Sequence, residues 1–209
     1  MLTRVLIFIL TSSNALLSTA SELQRCYLPE TKTKIDVEKL SEMTWYTGLQ
    51  TNDIAASIIS CARLNNFATT ESGFDVVLKE RGLRFVEYDL RFTLGRNGIY
   101  YMDKSNKEIN HLEHLRSMHG IYNQAVLDMD HFLADGHPAF LSDYENYLAV
   151  FVCPPNGLAD EAHQMIWGYF PSPNPTLSQI AAFVNVLHDV GISAKFHAST
   201  CDETNWNQE

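Results

Sequence analysis

Lysine and arginine are missing from a long part of this 209-residue chain, because neither occurs between Ser117 and Ala194. The whole sequence has 25 Asp and Glu against 15 Lys and Arg, a formal net charge of −10. Phosphate contacts depend on basic side chains, so nucleic acid is not expected as a partner. The acidic region is interpreted as a solvated face that keeps the protein soluble, and the alternative is a field that favours cationic ligands.

Catalytic motifs are also missing. The sequence contains no G-x-S-x-G, no H-E-x-x-H and no glycine-rich phosphate loop. Nothing in its spacing selects one set of Ser, His and Asp residues as a catalytic group. We therefore interpret the chain as a protein that is not an enzyme.

An apolar run lies at the N-terminus, and no later apolar run approaches the length of a membrane span. Arg4 precedes the run VLIFIL, and Ser18 and Ala20 stand at the −3 and −1 positions of a cleavage site. A membrane-spanning helix needs about 20 apolar residues, and TSSN interrupts this run too early. We predict a signal peptide over 1–20, a mature domain over 21–209, secretion to the extracellular space and no membrane insertion.

Four cysteines occur, at Cys26, Cys61, Cys153 and Cys201. An even number behind a signal peptide predicts two disulfides, in any of three pairings. Their wide spacing without a CxxC argues against a zinc cluster. Each bridge would close a long loop, which the chain-entropy model values at about 4–5 kcal/mol.

Short strand-like runs separated by Gly, Asn and Ser follow one another from Met43 onward. This spacing predicts an all-β sandwich or barrel. In the run 83–94, Val86, Tyr88, Leu90 and Phe92 alternate with charged residues, as in a half-buried antiparallel strand. The run YLAVFVC at 147–153 is apolar on both faces, so we expect protein to cover both.

One segment near the C-terminus has a clear helical pattern. Thr176 and Gln179 form a capping box, and Gly191 suits the C-terminal end. We predict that one apolar stripe faces the sheet from outside, made of Leu177, Ile180, Ala181, Val184 and Leu187. The middle segment is ambiguous: HLEHLRSM has helical spacing, and IYNQAVLDM fits a helix or a strand.

Three segments together resemble the lipocalin family over nearly the whole mature chain. MTWY at 43–46 is similar to the family's G-x-W-Y motif, SDYENYLAVFVC at 142–153 to its T-D-Y motif, and SPNPTLS at 172–178 to the segment before its helix. The cysteine layout resembles the branch with apolipoprotein D, bilin-binding protein, insecticyanin and crustacyanin. Met43 replaces the usual glycine, and Pro173 or a neighbour replaces a basic residue that packs over the tryptophan.

The resemblance implies an eight-stranded antiparallel up-and-down barrel with one α-helix packed outside. It also implies the disulfide pairing Cys26–Cys153 and Cys61–Cys201. Trp45 would then be mainly a plug at the closed end of the barrel.

The function implied by the resemblance is to bind and carry a small hydrophobic molecule in the barrel cavity. The expected ligand is a carotenoid, bilin or retinoid, so a bound chromophore is the one cofactor considered, and none is required. The predicted lining residues are Trp45, Val86, Tyr88, Leu90, Phe92, Tyr101, Tyr147 and Phe151. The alternation of the last three is open, so they could also point outward.

Two alternative functions remain. One is sequestration of a cationic small molecule such as a biogenic amine, with Asp128, Asp130, Asp143 or Glu145 as the carboxylate partner. The other is a loop-mediated interaction or inhibitor protein. The sequence leaves self-association open.

Histidines are concentrated in the middle of the chain. His111, His114, His119, His131 and His137 lie within 27 residues, and HLEH has spacing that could bind a metal. The segment shows no second metal motif, so we interpret these histidines as surface or loop residues and predict no metal site.

Overall fold

The computed structural model describes residues 24–26, 28–29, 34–83, 85–103, 124–160 and 163–201. The signal peptide predicted over 1–20 and the HLEH motif at 111–114 lie outside these ranges. Both therefore stay predictions, as does the domain boundary at residue 21.

The described residues form mostly β-strands, with three α-helices and a short 3-10 helix at Arg96–Gly98. The α-helices are α1 (Val37–Ser41), α2 (Gln124–Asp135) and α3 (Leu177–Asp189). The main strands are β2 (Trp45–Gln50), β3 (Ile59–Thr69), β4 (Gly73–Gly82), β5 (Phe85–Leu94), β6 (Tyr100–Met102), β7 (His137–Ser142), β8 (Leu148–Cys153) and β10 (Met165–Phe170). Three short strands complete the set: β1 (Gln24–Arg25), β9 (Leu158–Ala159) and β11 (His197–Ala198).

Eight strands form a nearly closed antiparallel barrel. Their order is β6-β5-β4-β3-β2-β10-β8-β7, so each main strand pairs with its chain neighbour and β10 returns to pair with β2. An isolated antiparallel bridge between Ile99 and Ala139 brings the β6 and β7 edges together. The predicted up-and-down barrel is confirmed.

The apolar alternation predicted for β5 is confirmed. Tyr88, Leu90 and Phe92 are buried, whereas Glu87 and the other charged residues of the strand are exposed. Strands β8 and β10 are buried on both faces, because the barrel interior covers one face and α3 covers the other. The sequence 147–153 therefore has the covering that its continuous apolar run predicted.

Helix α3 packs outside the barrel with its predicted capping box. The Thr176 backbone N–H donates to Gln179 Oε1 at 2.9 Å, and the Gln179 N–H donates to Thr176 Oγ1 at 3.3 Å. The predicted buried stripe is correct for Leu187 and wrong for Leu177 and Val184, which are 86% and 45% exposed, and for the exposed Ala181. Ile180 is half-buried.

Phe183 explains how α3 is rotated. Its ring lies over Gly168, and a Cβ added to that glycine would be 3.0 Å from the ring. The Phe183 ring centroid is 5.9 Å from that of Phe170. The glycine leaves a flat area on β10 that accepts a large aromatic ring. The helix therefore turns Phe183 inward and leaves Leu177 in solvent.

Two disulfides join the ends of the chain to the barrel. Cys26 pairs with Cys153 at the end of β8, and Cys61 of β3 pairs with Cys201. The Cα–Cα distances are 5.9 and 4.9 Å, within the usual range for a disulfide. This is the pairing that the family resemblance implied, and it is confirmed.

The ambiguous middle segment contains a helix. Residues Gln124–Asp135 form α2, which contacts β6 and leads through Gly136 into β7. Among the described residues, no helix combines the length and apolar character that a membrane span requires.

Candidate functional site

The barrel has a closed end, where helix α1 covers Trp45. The indole is fully buried, and its Nε1–H donates to the Leu40 backbone oxygen at 3.1 Å. Asp36 caps α1 by accepting from the Lys39 N–H at 3.3 Å, and Val37 and Leu40 bury their side chains against the barrel. Trp45 thus lies at the closed end, where a plug was expected.

Four aromatic rings fill the closed half of the interior. The Phe74 ring centroid lies 5.2 Å from Phe92, 5.3 Å from Tyr100 and 5.2 Å from Phe140. Phe140 is also 5.3 Å from both Phe92 and Tyr100. Tilted and edge-to-face contacts at these distances are those of a packed core. The closed half is therefore solid, and a ligand would have to lie nearer the mouth.

The mouth is covered on one side by the loop 51–58. Asp53 is buried, and its Oδ2 accepts from Thr51 Oγ1 at 2.7 Å and from Trp167 Nε1 at 2.9 Å. Its Oδ1 accepts from the Ala56 N–H at 2.9 Å. Burial raises the pKa of the Asp53 carboxyl, and these hydrogen bonds only partly oppose that shift. Through its hydrogen bonds to Thr51, Ala56 and Trp167, Asp53 links the loop 51–58 to β10.

Helix α2 covers the mouth on another side. Val126, Met129 and Phe132 share one face at a spacing of three residues, and all are buried in the interior cluster. The Gly136 N–H donates to the Phe132 oxygen at 2.9 Å where α2 ends and β7 begins. The apolar face of α2 thus closes the interior above the barrel walls.

Polar side chains occur inside the mouth half, and sequence reasoning missed them. Glu80 is 1% exposed, and Thr47, Gln50 and Tyr169 are also buried. Burial raises the pKa of the Tyr169 phenol, the negative charges of Glu80 and Asp53 add to this, and the Thr47 hydroxyl opposes it. Glu80 could have been found, because it shares the period-two face of Phe74, Val76 and Leu78 in β4.

The structure separates the eight predicted lining residues into two groups. Five belong to or pack against the interior cluster: Trp45, Val86, Tyr88, Leu90 and Phe92. The expected inward direction is wrong for Tyr101, which is 44% exposed and lies beside the ring of His137. It is also wrong for Tyr147 and Phe151, which pack in the cluster beneath α3.

The alternation of β8 explains this correction. Leu148, Val150 and Val152 face the interior, so Phe151 has to face outward toward α3. Phe92 lies within the solid aromatic cluster, and Trp45 at the closed end. Contact of Val86, Tyr88 or Leu90 with a ligand stays a prediction.

The surface acids considered for a cationic ligand do not converge on a site. Burial tends to raise the pKa of Asp143, but hydrogen bonds from Asn146, Glu145 and Tyr147 outweigh it and lower that pKa. Asp143 therefore holds its own loop together. Asp128 and Glu145 are exposed on separate segments.

Comparison with solved structures gives the fold class. Insecticyanin from the tobacco hornworm Manduca sexta superposes with a TM-score of 0.55 at 13% identity, over 87% of this chain and 90% of that one. The major allergen Per a 4 from cockroaches gives 0.53 at 14% identity, over 83% and 93%. Lobster apocrustacyanin A1 gives 0.51 at 12% identity, over 85% and 92%.

No protein-family model and no curated protein sequence matches the chain. The structural matches nevertheless extend over most of both chains, and they show that this protein has the lipocalin fold. The low identities make it a divergent example of that fold.

Proposed function

We propose that the protein is a secreted carrier that binds one small, largely apolar molecule in the mouth half of its barrel. The observation that carries this proposal is the composition of that half. Apolar walls from Leu90, Val150 and Val152 surround a few buried polar groups, and α2 and the loop 51–58 cover them. Small-molecule sites commonly combine an apolar enclosure with a few placed polar groups.

The two disulfides support secretion, because such bridges persist in oxidising compartments. A flat or polyene ligand such as a carotenoid, bilin or retinoid remains the specific expectation from the family resemblance. The solid closed half restricts it: the part of the ligand held inside the barrel lies above Phe74 and Phe140.

Trp167 provides a direct optical test. Its indole is buried in the interior near the mouth and is fixed to Asp53. A ligand in the mouth half should quench its emission when the ligand absorbs in the near ultraviolet. We expect saturable quenching with at least one carotenoid, bilin or retinoid at micromolar concentration.

The matched variants are Trp167→Phe and Trp45→Phe. Quenching should be largely lost in Trp167→Phe and kept in Trp45→Phe, because Trp45 lies at the closed end beneath α1. Absence of quenching by the whole panel, together with a colourless protein from its natural source, would contradict the carrier proposal. The loop-mediated interaction protein would then be the better interpretation.

A further inference from the structure

Helix α3 carries an apolar stripe on its solvent side. Leu177, Ala181 and Val184 follow one another at spacings of four and three residues, so they lie on one line along the helix. Leu177 is 86% exposed, Val184 is 45% exposed, and Ala181 is exposed as well. The solvent side of a surface helix ordinarily carries charged or polar residues. A continuous exposed apolar patch of this kind is typical of an interaction surface.

The helix also lacks charge until its last residue. No Asp, Glu, Lys or Arg occurs from Ala162 to His188, and Asp189 ends the helix. The polar side chains beside the stripe include Ser178 and Asn185, which are exposed and neutral. Each of them can both donate and accept hydrogen bonds. The stripe is therefore an uncharged surface on a chain whose formal net charge is −10.

A second copy of this chain fits such a surface better than a lipid bilayer does. Helices that lie on membranes carry Lys and Arg beside their apolar stripe, and neither residue occurs between Ser117 and Ala194. In a two-fold dimer the same patch meets itself, so a charged patch would repel its own copy. The uncharged stripe of α3 meets this condition in an otherwise acidic chain.

The two ends of α3 favour an antiparallel pairing. The middle of the stripe lies between Ala181 and Val184, so two antiparallel stripes place Ala181 of each copy against Val184 of the other. The small Ala181 side chain permits close approach of the two helices. Asp189 is exposed at the C-terminal end and then lies beside the N-terminal end of the other α3. The partial positive charge of that end complements the carboxylate.

We propose that two copies of this protein form a two-fold dimer through antiparallel contact of their α3 stripes, made of Leu177, Ala181 and Val184. This proposal goes beyond the carrier function and does not depend on it. The 13 residues of α3 span about 20 Å. A contact of that length lies at the small end of specific interfaces, so the dimer should be weak and should form as concentration rises.

Sedimentation velocity tests the dimer. The wild type should convert from monomer to dimer over about 10 μM to 1 mM, as expected for a small interface. Val184→Glu places two like charges at the centre of the contact, so the dimer dissociation constant should rise at least tenfold. Leu83→Glu is the matched control, because it puts the same acid at a 75% exposed apolar residue in the turn between β4 and β5. It should dimerise like the wild type.

A mixture of two variants tests the two-fold arrangement. Val184→Glu and Val184→Lys should each dimerise weakly, and their equal mixture should recover the dimer, because the contact brings residue 184 of one copy close to residue 184 of the other. Added salt should strengthen the wild-type dimer, because it screens the repulsion between two acidic copies. Leu177→Glu changes an 86% exposed residue, and it supplies a second variant if Val184→Glu does not fold.

A wild type that stays monomeric over the whole concentration range would overturn the proposal. A dimer that Val184→Glu and Leu83→Glu weaken equally would also overturn it. If the mixture of Val184→Glu and Val184→Lys does not recover the dimer, α3 contacts a different surface of the second copy and the two-fold contact is wrong. Binding of a monomeric wild type to phosphatidylcholine vesicles, lost in Val184→Glu, would assign the stripe to a lipid surface instead.

Discussion

Truncation of Phe74 tests whether the closed half of the barrel is solid. The side chain is fully buried, and its ring contacts Phe67, Phe92, Tyr100 and Phe140 at centroid distances of 5.2 to 5.9 Å. Replacement of a buried phenylalanine by alanine typically costs about 3–5 kcal/mol of unfolding free energy. Each aromatic pair adds about 0.5–1.5 kcal/mol beyond burial, so we expect the upper part of that range.

The assay is equilibrium unfolding in urea with both disulfides intact. At an m-value of about 3 kcal/mol per M, the Phe74→Ala midpoint should fall by roughly 1–2 M. Phe85→Ala is the matched control, because this ring is 53% exposed and contacts Arg81 on the outer surface. It should change the unfolding free energy by less than about 1 kcal/mol.

A Phe74→Ala midpoint that matches the Phe85→Ala midpoint would refute the reasoning. It would mean that the four rings line open space instead of packing against one another. The ligand region would then have to extend to the closed end.

Three further predictions follow from particular contacts. Asp53 has a raised pKa in the folded state, so its contribution to stability is present at low pH and is lost as pH rises through that pKa. The free energy of unfolding in urea should therefore fall over that pH range. The Asp53→Asn variant should lack this fall. Gly168→Ala places a Cβ 3.0 Å from the Phe183 ring, so we expect a loss of about 1–3 kcal/mol by the same assay. Removal of one disulfide by Cys61→Ser with Cys201→Ser should cost about 2–5 kcal/mol, seen as a lower melting temperature.

Strand positions were predictable where one face of a strand is polar. In β5 the charged residues Glu87, Asp89 and Arg91 mark the outer face, so the inward direction of Tyr88 and Leu90 followed from the sequence. In β8 both faces are apolar, so no residue marks which is inward. The outward direction of Phe151 could be learned only from the packing of α3.

Helix α3 shows how a tertiary contact decides a rotation that the sequence leaves open. Leu177, Ala181 and Val184 form an apolar stripe as continuous as the buried face that contains Phe183 and Leu187. The fit of Phe183 over Gly168 depends on residues from two elements, and helical periodicity contains no information about it.

The disulfide pairing was a different case. Composition left three pairings open, and the family resemblance supplied the one that the structure contains. Glu80 had a readable signal in the alternation of β4. Its burial was overlooked because a carboxylate is an unusual inward residue in a barrel.

The central claim is that the mouth half of this barrel holds one small molecule. Native mass spectrometry of protein purified from its natural source measures this most directly. We predict a complex one ligand mass above the disulfide-bonded polypeptide, with a released molecule that is largely apolar, and with release on unfolding. A spectrum of the bare polypeptide alone, for protein that also binds no member of the carotenoid, bilin and retinoid panel, would contradict the account.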